Sequence, residues 1–245
     1  MNNKKQTYMI HSILIQSSLP VCLCSDSSMT TIKTNFKCSL RDLVRIFKEV
    51  SNNNNHKKLS YHNVVDADHV TAGVELRKRF PQAIHCFSIH SGVTFSDSLT
   101  LVKEHDVLTI GSSIKIHVLE TPGHTNGCVS YYLEDKSKVF TGDALFIRGC
   151  GRCDFQQGSS STLYDSIMKL YNTLPDSCEV YPGHDYKGMT KTTIGEEKKF
   201  NPRIFATQSR EGFCEIMDNL KLPKPRFLDV ALPANLLGGV KQQEQ

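Results

Sequence analysis

The sequence has no strong excess of either charge: 29 Lys and Arg against 25 Asp and Glu leave a net charge of +4 over 245 residues. That is too mild to imply a nucleic-acid partner without a localised basic stripe, and the densest basic run, Arg77-Lys78-Arg79, reads as a solvated helix face. No apolar run is long enough to span a membrane; the patch over residues 8–15 is short and polar-flanked. There is no internal repeat, and 39% hydrophobic with 22% charged residues excludes a fully disordered or collagen-like chain. The nine cysteines lack the even count and regular spacing of a disulfide scaffold, which favours reduced thiols in an intracellular compartment. Cys150-Gly151-Arg152-Cys153 has the spacing of a redox pair or half a zinc site, but no second Cys-x-x-Cys completes a four-cysteine site.

What is present divides the chain in two. Residues 1–58 read as a leader and weakly patterned segment, and residues 59–245 as the globular part. No acid precedes Asp26 and hydroxyl residues are frequent, which permits a mitochondrial transit peptide, although the stretch also has no arginine. Met29 is an alternative start. Leu40, Leu43, Val44, Ile46 and Phe47 recur at helical spacing, and Ser51 with the asparagines at 52–55 forms a polar loop or linker.

From Leu59 onward short apolar strands alternate with helices, the pattern of an α/β fold. Strands are expected over residues 114–119, 128–133, 139–141 and 179–181, and helices over 70–80, around Leu163 to Tyr171, and over 210–220. His124, Asp143 and His184 each follow a strand within a few residues, and Asp68-His69 opens a helix. Loops at strand ends are where a layered α/β scaffold converges polar side chains on one cleft. Each residue also has an ordinary structural reading: Asp68 as an N-cap, His124 and Asp143 as turn residues. Three metal-capable positions at strand ends and a fourth at a helix start point to a metal site, and histidine with carboxylate suits zinc or iron.

Asp68-His69, Pro122-Gly123-His124-Thr125, Phe140-Thr141-Gly142-Asp143 and Tyr181-Pro182-Gly183-His184-Asp185 resemble the metallo-β-lactamase superfamily. The run at residues 147–156, with His184-Asp185-Tyr186, Asn201-Pro202-Arg203 and Pro233-Ala234-Asn235, resembles its persulfide dioxygenases, the ethylmalonic encephalopathy protein group, over roughly residues 66–239. The resemblance implies an αββα sandwich, here with a reduced or divergent amino-terminal half, holding one iron(II) per chain. It implies oxidation of glutathione persulfide by dioxygen to sulfite in mitochondrial sulfide disposal, with cytoplasm as the other location, no nucleic-acid or membrane partner, and a homodimer left open. His124 and Asp143 map onto two of the family's three metal ligands. Val64 stands where the first histidine belongs and Asp66 where the second does, so the third ligand is His62, Asp66 or neither. Asp68, His69 and His184 fall in the superfamily's second-metal region as outer partners, and Tyr186 would orient a ligand or substrate. Arg148 and Arg152 are candidates for glutathione carboxylates, with an internal ion pair to Asp154 or Asp185 as the other reading. A glyoxalase II-like thioester hydrolase and a metal-poor binding protein are the rivals.

Overall fold

A computed structural model describes residues 58–61, 71, 78, 83–94, 99–110, 114–186, 188–224 and 228–238. The leader, the expected helix over 40–47, His62, Val64, Asp66, Asp68 and His69 lie outside the described residues, as does most of the expected helix over 70–80.

Two sheets face each other. A parallel three-stranded sheet has the order β1-β2-β3, from Lys58–Tyr61, Ala83–Ser88 and Leu99–Val102. A six-stranded sheet runs in sequence order: β4 Val107–Ile110, β5 Ile114–Glu120, β6 Val129–Leu133, β7 Lys138–Gly142, β8 Glu179–Pro182 and β9 Thr192–Thr193. The expected strands over 114–119, 128–133, 139–141 and 179–181 are β5 to β8, differing by at most one residue at either end.

Alternation along the strands divides the core between two layers. Cys86 and Val102 from the first sheet meet Ile116, Val118, Val129, Tyr131 and Phe140 from the second. The opposite face of the second sheet, with Leu119, Val139 and Val180, is covered by α1 Ser160–Thr173, α2 Ile194–Phe200 and α3 Arg210–Asp218. Helix α1 starts at its N-cap Ser159 and buries Leu163, Ile167, Leu170 and Tyr171, one stripe at helical spacing. A fourth helix, α4 Leu228–Leu236, brings its end to the loop after β2, where Thr94 N donates to Leu236 O at 2.9 Å.

Strand direction explains where the metal-capable side chains gather. β6 is antiparallel to both β5 and β7, and β8 is parallel to β7. The carboxyl ends of β5, β7 and β8 therefore share one edge of the sheet, and from them come His124, Asp143 and His184 respectively.

Candidate metal centre

The three loops at that edge are held by short-range contacts. The loop after β5 is pressed onto α1: Gly123 has φ +131°, and a Cβ on it would lie 2.4 Å from Leu163 Cα, so only glycine lets the helix come this close. Ser166 Oγ donates to Pro122 O at 2.6 Å, and Ser159 N to Gly123 O at 2.8 Å, fixing the same loop from the helix side. After β7, Thr141 Oγ1 donates to Leu145 O at 2.7 Å, closing the turn that carries Asp143. Gly183 N donates to Gly142 O at 2.8 Å, which ties the His184 loop to that turn.

Asp143 is buried and lies between the two imidazoles. Its Oδ1 is 2.7 Å from His184 Nδ1, and its Oδ2 is 3.6 Å from His124 Nε2. His124 Nδ1 is 2.6 Å from the carbonyl oxygen of Arg152. A carbonyl only accepts, so Nδ1 carries the proton, and in the neutral ring the lone pair of Nε2 faces the carboxylate. That nitrogen is buried and has no hydrogen-bond partner among the described residues. Two electron-rich atoms facing each other at 3.6 Å, too far for a hydrogen bond, are the arrangement that a cation completes. Among the described residues no group of three His, Cys, Asp or Glu side chains forms a metal-holding set. The remaining ligand candidates, His62 and Asp66, are outside the described residues, as are Asp68 and His69.

Around the pair, Tyr186 is 74% exposed and stacks parallel to the His184 ring at 5.7 Å, with Phe146 edge-on to both. Both arginines of the loop before α1 are engaged by the protein's own carboxylates. Arg152 makes a paired contact with Asp154, Nε to Oδ1 at 2.6 Å and Nη2 to Oδ2 at 2.7 Å, and donates to Pro223 O at 2.7 Å. This is the internal ion pair considered for it from sequence. Arg148 meets a different partner: its Nη1 and its backbone N both reach Glu197, which is fully buried.

Glu197 was not legible as a site residue, because a Glu-Glu-Lys-Lys run reads as a solvated helix face. A faint signal exists in Thr193-x-x-Glu196, the capping-box spacing that starts α2: Thr193 Oγ1 accepts from Glu196 N. It locates the helix without revealing that the next glutamate turns inward. In the Cys-x-x-Cys pair the Cys150 thiol is buried and Cys153 half-buried. Burial pushes the Cys150 thiol up to about 11 and raises Cys153 as well, the opposite of a reactive thiolate.

The metallo-beta-lactamase superfamily model matches residues 65–184. A crystal structure of ETHE1 from Myxococcus xanthus superposes with a TM-score of 0.73 at 41% identity, covering 92% of this chain and 96% of that one. The chain belongs to the metallo-β-lactamase superfamily, whose members bind metal. Within it, the chain is similar to the mouse and human proteins named persulfide dioxygenase ETHE1, mitochondrial, at 46% and 45% identity over 175 residues, 71% of this chain. The matched segment spans 66% of the length of each of those relatives. Among the described residues no helix is long and apolar enough to cross a membrane.

Proposed function

We propose that the chain is a mitochondrial persulfide dioxygenase, binding one iron(II) and oxidising glutathione persulfide with dioxygen and water to sulfite and glutathione. The observation that carries the metal part is the buried His124 Nε2 facing Asp143 Oδ2 across 3.6 Å. A nitrogen and a carboxylate oxygen with further positions open suit zinc or iron, and the choice of iron(II) rests on the likeness to the persulfide dioxygenases. The substrate follows from the relatives named persulfide dioxygenase.

His124 and Asp143 would hold the iron, which supplies the redox chemistry joining dioxygen to the persulfide sulfur. The rest is work for the protein's own groups. His184 Nδ1 holds Asp143 Oδ1 and so aims Oδ2. Asp68 and His69 are proposed as further outer partners, and Tyr186 as the aromatic wall against which substrate is oriented. Arg152 keeps the proposed role of binding a glutathione carboxylate, which would take the place Asp154 now fills; Arg148 is the weaker candidate, since its guanidinium is committed to Glu197.

A second reading, a metal-poor binding protein, is favoured by Val64 at the position of the family's first histidine ligand. A glutathione thioester and glutathione persulfide offered to the same iron-loaded sample separate the activities. Sulfite release from the persulfide with no thioester hydrolysis is expected; thioester hydrolysis alone would move the chain to the hydrolases. With iron loaded, replacing His62 or Asp66 identifies the third ligand by which substitution releases the metal.

A further inference from the structure

One buried cluster lies outside the metal pair and yet connects to it through five consecutive residues. Glu197 on α2 is fully buried and accepts from Arg148 Nη1, from Arg148 N at 2.9 Å, from Thr192 Oγ1 at 2.8 Å and from Asn201 Nδ2 at 2.9 Å. A buried carboxylate costs several kcal/mol to desolvate and is retained only where charge and hydrogen bonds compensate it. Here the compensation is spent on one loop. Arg148 N is held by Glu197, and Gly149 O by Asn201 Nδ2 at 3.0 Å. Cys150 O is held by Arg203 Nη1 at 2.8 Å, Gly151 N donates to Asp143 O at 3.0 Å, and Arg152 O receives His124 Nδ1. Arg148 itself adopts φ +58°, a left-handed conformation that disfavours a side chain, which the ionic contact to Glu197 stabilises.

We infer that Glu197 is a positioning residue for the metal centre: by fixing the backbone from Arg148 to Arg152 it places the carbonyl that sets the tautomer and orientation of His124. This rests on the metal-site reading for its functional meaning but not for its test. The other ring nitrogen's hydrogen bond decides which nitrogen faces the metal, and loss of such outer partners lowers metal affinity about 10- to 100-fold.

The test uses the full chain, with the metal-free protein observed by nitrogen-15 NMR of the His124 ring and the same samples titrated with iron(II). In the wild type the Nδ1 proton is expected as a protected, downfield signal. In Glu197→Gln that signal should weaken or move to Nε2, and the iron(II) dissociation constant should rise about tenfold or more. Thr192→Val, a milder change at the same carboxylate, should shift the signal in the same direction and by less. If Glu197→Gln keeps the wild-type Nδ1 signal and only unfolds at lower temperature, Glu197 is merely structural and the inference is overturned. Where Glu197→Gln does not fold, an unshifted signal in Thr192→Val overturns it equally. A wild type that binds no iron would sink the dioxygenase reading, while the Nδ1 signal still decides this one.

Discussion

His124→Ala is expected to lose iron at free-metal concentrations that saturate the wild type, with at least about a 100-fold weaker affinity. Removing an outer partner of a ligand already costs about 10- to 100-fold, and His124 is a proposed ligand in its own right. The side chain is largely buried, and its Nε2 is the atom left facing Asp143 Oδ2. Asp143→Asn should behave similarly, since the amide keeps the shape but removes the charge that draws the cation. His184→Ala should fall between these and the wild type, because it removes the group that holds Asp143 Oδ1 rather than a proposed ligand. Metal content after dialysis against a weak chelator reads all three. An order in which His184→Ala loses more iron than His124→Ala would place the metal on the wrong side of Asp143.

Gly151→Ala is expected to damage both stability and the metal centre through one methyl group. A Cβ at Gly151 would lie 2.2 Å from Asp143 O and 3.1 Å from His124 Cγ and Nδ1. The first contact is with backbone, so the loop or the Asp143 turn must move. Moving it breaks the Gly151 N to Asp143 O bond and displaces the Arg152 carbonyl that His124 Nδ1 donates to. Overpacking of this kind costs about 1–3 kcal/mol. Chemical denaturation of the metal-free variant should show that loss, and its iron affinity should fall about tenfold or more. Normal iron affinity with full stability would mean the loop can shift without consequence for His124.

The strand-end positions of His124, Asp143 and His184 were readable because each sits just past a short apolar run, and the strands they follow were found within one residue at either end. The family was readable for the same reason: its motifs are local strings around those loops. The buried cluster was not, since Glu197 lies 49 residues from Arg148 in sequence and only the packing of α2 brings them together. Nothing in a Glu-Glu-Lys-Lys run distinguishes an inward carboxylate from a solvated one. Arg148 and Arg152 show the same limit in reverse. Their residue type announces carboxylate recognition, while the identity of the carboxylate, Glu197 for one and Asp154 for the other, depends on folded neighbours. The Cys-x-x-Cys spacing misleads for a related reason, because spacing says nothing about burial, and burial is what raises both thiols.

A persulfide dioxygenase requires that His124 and Asp143, with a third group, hold one iron at which dioxygen oxidises the persulfide. Iron stoichiometry after anaerobic reconstitution of the purified chain, with oxygen uptake on glutathione persulfide in the same sample, tests it most directly. Close to one iron per chain is expected, with oxygen uptake that begins only when persulfide is added. A folded protein that retains no iron and consumes no oxygen would contradict it and leave the metal-poor binding protein as the reading.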